Sequence, residues 1–203
     1  MITVNKERML AEFKELVALP CHTLKERPVF DYLKAKLECL GFTVAEDDAA
    51  AQSGGNSGNV WAFLPGTTAG ATAVLLSALT VGVEPCGGTP VVQGDGVLYS
   101  DGITILGGGD KGGVVGILEG IRLLLERGAD HGDVQILFTI AEEGGVNGSR
   151  CMDKSKLRAE VGYALDGEGA PGEIVVGAPG QYKYKISVHG KKAHGGLEPE
   201  KGI

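Results

Sequence analysis

Closely spaced cysteine pairs are missing from this chain of 203 residues: Cys21, Cys39, Cys86 and Cys151 are scattered, and no two form C-x-x-C. Dispersed thiols of this kind read as free side chains in a reducing compartment, not as a disulfide frame. Positive charge is also scarce. Nineteen lysines and arginines against 26 acids leave a net charge of -7 and a pI of about 5.1. No basic stripe interleaves with aromatics, which argues against nucleic acid or an anionic membrane as partner. The longest apolar run, AVLLSALTVGV, is broken by Ser77 and Thr80 and is too short to span a bilayer. The opening residues MITVNKERMLAEF lack the apolar core of a signal peptide, so the expected location is cytoplasmic. Internal repeats and low-complexity linkers are absent too.

The remaining composition, 43% hydrophobic and 22% charged, is that of a globular domain. A chain of this size buries roughly 70% of its unfolded surface and needs no staples. Met9, Leu10, Phe13, Leu16 and Val17 recur at helical spacing between Lys6 and Leu19, and Pro20 ends the run. A second helix is expected from Pro28 to Leu40, closed by Gly41, and a third from Gly113 to Arg127. Strand-type segments are FTVAE, NVWAFLPG, TAVLLSALTV, DVQILFTI and VGYALD, the third of them apolar enough to be covered on both faces. GDGVLYSDGITIL reads as a hairpin or as paired extended segments, and KYKISVHGKKAH as an alternating, half-exposed strand. Strands alternating with helices predict an α/β fold with a mostly parallel sheet flanked by helices. LEPEKGI resembles a helix entry with Pro199 in its first turn, and the chain ends there, as a sequence cut short would. A chain cut short predicts an open, apolar sheet edge.

Acids close two of the strands: Glu142 and Glu143 follow FTIA, and Asp166 follows YAL. In open α/β sheets functional groups gather beyond the carboxyl ends of the strands. Two acidic ends side by side suit a hard or borderline metal ion. The stretch LGGGDKGG, residues 106–113, contains G-x-G-x-x-G at Gly107, Gly109 and Gly112, the spacing of a dinucleotide-binding turn. That motif requires an acid about 20 residues further on, at the end of the next strand. Here the next strand ends at Glu142, and Asp110 inside the turn would repel a pyrophosphate, so the dinucleotide reading is set aside.

SDGITILGGGDKGGVVGILEGIRLL, HGDVQILFTIAEEGGVNGSR, GYALDGEG and VHGKKAHGGLEPEKGI, in that order, closely resemble the peptidase T-like branch of the di-zinc aminopeptidases, relatives of acetylornithine deacetylase and the glutamate carboxypeptidases. The resemblance runs from about Asn59 to the end of the chain. It implies a di-zinc catalytic domain over residues 1–177, incomplete in this chain, followed at 178–203 by the start of an inserted α+β lid or dimerisation domain. It implies two zinc ions per site and hydrolysis of the N-terminal bond of small peptides, tripeptides above all. It also implies a homodimer formed through the lid. Glu142 would be the general base, Glu143 a ligand of one zinc and Asp166 a ligand of the other. His194 would reach a partner subunit's site and steady the oxyanion.

Two family motifs are altered. Where the family has A-H-x-D-T-V after an apolar strand, this chain reads Ala78, Leu79, Thr80, Val81, as if His and Asp had been dropped. Neither Leu79 nor Thr80 replaces an imidazole or a carboxylate. Where the family has L-G-A-D-D-K, Gly109 takes the place of the metal-bridging acid, and Asp110 reaches that place only if the loop shifts by one residue. The family's last histidine ligand would fall beyond residue 203. His22, His131 and His189 are not placed by any motif to substitute. The sequence therefore supports two readings: a zinc aminopeptidase, or a catalytically impaired remnant with a binding or structural role.

Overall fold

The computed structural model describes residues 3–87, 91–92, 95–167, 169–180, 182, 184–187, 189–194 and 196–202, and leaves out the side chains of Val91, Val92 and Asp110. It divides into two units, Met1–Glu168 and Gly169–Ile203.

In the first unit α1 (Lys6–Ala18) begins at Asn5, whose side-chain oxygen accepts the Arg8 N–H, and stops before Pro20. α2 (Arg27–Cys39) carries Pro28 in its first turn and buries Val29, Phe30, Leu33 and Leu37. Strands β1 (Thr43–Glu46), β2 (Val60–Leu64) and β3 (Val74–Leu79) follow, with the short helix α3 (Ala49–Ser53) between the first two. β4 (Val91–Val92) and β5 (Leu98–Tyr99) form a separate antiparallel pair. Next come α4 (Gly108–Glu126), β6 (Val134–Thr139), α5 (Asn147–Cys151) and β7 (Val161–Ala164).

The main sheet has the order β1-β2-β6-β3-β7. The expected helix-flanked α/β sheet is what the chain forms, and it is mixed. β6, β3 and β7 run parallel, while β1-β2 and β2-β6 are antiparallel. Side chains alternate with period two. Val60, Ala62, Ala78, Val134, Ile136 and Phe138 face one core with the buried stripes of α1, α2 and α4. β3 is only half-buried from Val74 to Ser77, not sealed on both faces as its composition suggests, because those three helices pack on a single face. β7 lies at the sheet edge with all four residues exposed, Val161 and Tyr163 among them. Among the described residues no strand pairs with its outer side.

Ion pairs bind α4 to α1. Arg8 holds Glu119 through Nε at 2.7 Å and also pairs with Glu126, and Arg122 holds both oxygens of Glu12 at 2.6 Å. Hydrogen bonds from Arg8 keep the Glu119 carboxyl below its usual range against the opposing effect of burial, with help from the Asn5 N–H at 2.9 Å. A carboxylate depressed in the folded state stabilises fully above its unfolded value, about 4.3 for Glu, and ceases to do so as pH falls through the folded value. Arg8→Ala should therefore cost less stability at pH 3 than at pH 7. Urea denaturation of both proteins at the two pH values checks this.

α4 starts five residues earlier than helical spacing suggests. Gly107, in the left-handed region at φ 65°, turns the chain into it, and the next two glycines lie in its first turn. The five-residue helices α3 and α5 are too short to show a period. In the second unit Tyr182, Tyr184 and Ile186 alternate as a strand would, but each is more than four-fifths exposed and no strand forms among the described residues. A strand needs a neighbour for its N–H and C=O groups, and none of the described pairings involves this segment. The helix entry expected at Pro199 is a single 3-10 turn, Pro199–Lys201.

Candidate functional site at the carboxyl edge of the sheet

Because β6, β3 and β7 are parallel, their carboxyl ends share one edge. Leu79 lies opposite Thr139, and Ser77 opposite Ala164. The Leu165 N–H still reaches the Ser77 carbonyl at 2.8 Å, so Asp166 leaves the sheet beside the end of β3. Glu142 and Glu143 leave from β6, the first half-buried and the second exposed. The Asp166 carboxyl is pushed up, first by loss of water and then by the negative charge of Glu143. Asp166 therefore lies within reach of the Glu143 charge.

The end of β3 carries no donor set. Leu79, Thr80 and Val81 are 5%, 2% and 0% exposed. Thr80 directs both its N–H and its hydroxyl to the Thr139 carbonyl, each at 3.0 Å. The chain then continues as extended backbone, the Gly82 N–H bonded to the Cys21 carbonyl and Gly82 paired with His22. Lys111, from α4, is 2% exposed. Its Nζ lies 3.2 Å from where a Cβ on Gly82 would be. Burial raises the Cys21 thiol, and Lys111 works against that rise.

His22 and His131 are engaged elsewhere. His22 Nε2 sits 3.1 Å from Glu84 Oε1, beside a surface cavity of about 500 Å3 that Cys86 also lines. His131 precedes β6, at the opposite edge of the sheet, with Nδ1 2.7 Å from the Gly132 carbonyl. His189 and His194 belong to the second unit. There His194 Nδ1 accepts the N–H groups of Gly196 and Leu197, both at 3.2 Å, which leaves Nε2 as the proton-bearing nitrogen of the neutral ring. Among the described residues no group of three or more His, Cys, Asp and Glu could hold a metal ion.

The glycines of LGGGDKGG have separate reasons. A Cβ on Gly113 would stand 2.2 Å from the Leu165 carbonyl oxygen, so α4 approaches the end of β7 only through that glycine. At Gly109 a Cβ would meet no described atom within 4 Å. The missing acid there is not demanded by packing. Gly109→Asp should keep the fold and raise stability by about 1 kcal/mol, from helix propensity and a favourable charge in the first turn. Thermal denaturation checks it. The side chain of Asp110 lies outside the described residues; its backbone is in the first turn of α4.

Sequence reasoning missed Glu26, Asn59 and Asp47, all buried around the acidic turn. Their only sequence signal is a polar residue beside an element end, which is common to most loops.

The model of peptidase family M20/M25/M40 matches residues 88–193. An uncharacterized protein, YqjE of Bacillus subtilis, is 40% identical over 98% of this chain and 54% of its own length. Peptidase T of Serratia proteamaculans is 34% identical over 51% of this chain and 25% of its own. Among solved structures, aminopeptidase PepT from Bacillus cereus superposes with a TM-score of 0.83 at 36% identity, covering 98% of this chain and 54% of that one. A tripeptidase from Staphylococcus aureus gives 0.79 at 34% identity, over 82% and 44%. The chain thus spans about half the length of its more fully matched relatives.

Proposed function

This chain belongs to peptidase family M20/M25/M40, and on that premise we propose that it carries the scaffold of a small-peptide aminopeptidase of the tripeptidase kind, with a hydrolytic centre left incomplete in the chain as it stands. Its relatives include an aminopeptidase and a tripeptidase, which supports small peptides as the substrate class. In this reading the protein is cytoplasmic and pairs with a second copy through the lid. Glu142 takes the proton from the attacking water, a carboxylate general base. His194 donates from Nε2 to the oxyanion developing in the second copy's site, its ring oriented by the two N–H groups on Nδ1.

The family's two zinc ions would activate the water and polarise the carbonyl. The residues of this chain do not fit them. Glu143 and Asp166 are the carboxylates that the family resemblance offers as ligands, and zinc sites require imidazole, thiolate or further carboxylates to close the shell. One observation carries the reading: the end of β3 is packed with Leu79, Thr80 and Val81, and the one hydroxyl among them is already hydrogen-bonded.

Loss of a direct ligand exceeds the roughly 10–100-fold penalty of losing its supporting partner. A tripeptide hydrolysis assay with added zinc, run beside Bacillus cereus PepT, should give turnover lower by more than about 100-fold. Turnover matching that enzyme would overturn the proposal.

A further inference from the structure

Glu142 and Glu143 sit in a turn whose backbone is costly to hold. Ala141 on one side and Val146 on the other have φ of 50° and 54°, both left-handed. Neither is glycine, and a side chain holds this conformation only where its surroundings enforce it. Main-chain bonds supply part of the enforcement. Gly145 and Val146 donate to the Glu142 carbonyl, and Asn147 and Gly148 donate to those of Ala141 and Ile140.

Two buried side chains from distant elements supply the rest. Beyond the last residue of β6, the Ile140 N–H donates to Asn59 Oδ1 at 3.1 Å, and the Ala141 N–H donates to Glu26 Oε1 at 2.8 Å. Asn59 and Glu26 are both 0% exposed. Asn59 also donates from Nδ2 to the Gly148 carbonyl at 2.9 Å, closing the turn from its far end. Its amide is fixed by Asp47, which accepts from that Nδ2, from the Asn59 N–H and from Trp61 Nε1 at 2.8, 2.8 and 2.9 Å. A Cβ on Gly148 would stand 2.4 Å from the Ile140 carbonyl oxygen and 2.5 Å from Asn59 Oδ1, so the far end closes this tightly only around glycine. Glu26 adds an oxygen, Oε2, with no hydrogen-bond partner among the described residues. A half-used buried carboxyl is expensive, so Glu26 is a poor choice for core filling.

We infer that Glu26 and Asn59 are positioning residues: they grip the two consecutive N–H groups after β6 and thereby aim the Glu142–Glu143 pair at the carboxyl edge of the sheet. The role of Glu142 as proton acceptor rests on the proposed function; the grip on the turn does not. Nuclear magnetic resonance of the labelled full chain separates the two, because no readout involves hydrolysis. In the wild type, the amides of Ile140 and Ala141 should exchange as slowly as that of Ile136 within β6, although both lie outside the strand. In Glu26→Met, which removes the acceptor at similar volume, Ala141 exchange should rise by at least about tenfold. Ile136 should stay unchanged, and the side-chain carboxyl carbons of Glu142 and Glu143 should shift. Glu26→Gln, which keeps an acceptor oxygen, should restore both readouts. Fast exchange at Ile140 and Ala141 in the wild type would overturn the inference even if no variant folds. So would unmoved carboxyl signals in Glu26→Met, or failure of Glu26→Gln to restore them.

Discussion

Arg122→Met is expected to lower stability by about 3 kcal/mol, because it strips its bidentate partner from a buried carboxylate. Glu12 is 3% exposed, and without Arg122 its neighbouring cation is Lys36, 3.7 Å away. A buried carboxylate left with one longer contact to a partly exposed lysine is what makes the loss large. Removing both charges is a different experiment. Glu12→Met with Arg122→Met leaves an apolar contact of similar volume, and such replacements are often neutral. The double variant should recover most of the stability lost by the single one. Denaturant titration of the three proteins and of Glu12→Met completes the cycle. A double variant as weak as Arg122→Met would mean that the lost stability is packing, not charge.

Gly113→Ala should cost about 2–3 kcal/mol, the range of a side chain forced into a packed interior. The new Cβ would meet the Leu165 carbonyl oxygen at 2.2 Å and the Leu165 Cβ at 3.1 Å. Backbone in a sheet cannot swing aside as the tip of a long side chain can. Either α4 lifts away from the sheet or the end of β7 moves, taking Asp166 with it. Gly112→Ala is the matching control. It lies one residue earlier in the same helix, where a Cβ meets no described atom within 4 Å. It should gain about 0.8–1 kcal/mol from helix propensity. Opposite signs at adjacent glycines, read by thermal denaturation, would separate close approach from mere flexibility.

Much of the scaffold is legible in the sequence, and the reasons are local. α1, α2 and β6 announce themselves through spacing and end signals, because one face of each is buried against a continuous core. The carboxyl-edge acids are legible for the same reason: Glu142, Glu143 and Asp166 directly follow apolar runs. Strand order is not, since local pattern cannot say that β6 lies between β2 and β3. The support of the acidic turn is hidden more deeply. Asn59 and Ile140 are 81 residues apart, and Glu26 and Ala141 are 115 apart. Nothing in either neighbourhood marks its partner. The start of α4 was obscured by its glycines, which lower helix propensity while the left-handed Gly107 starts the helix anyway. The segment around Tyr182 and Tyr184 shows the converse: its alternation suits a strand, but alternation alone supplies no hydrogen-bond partner.

Gly109 and the β3 end make one joint statement about chemistry. At the first a side chain is missing although there is room for it. At the second the residues present are buried and the one hydroxyl among them is hydrogen-bonded. Metal analysis of the purified chain after equilibration with zinc and removal of free ion tests that statement most directly. Well below one zinc per chain is the expected result. Two tightly held zinc ions per chain would contradict it.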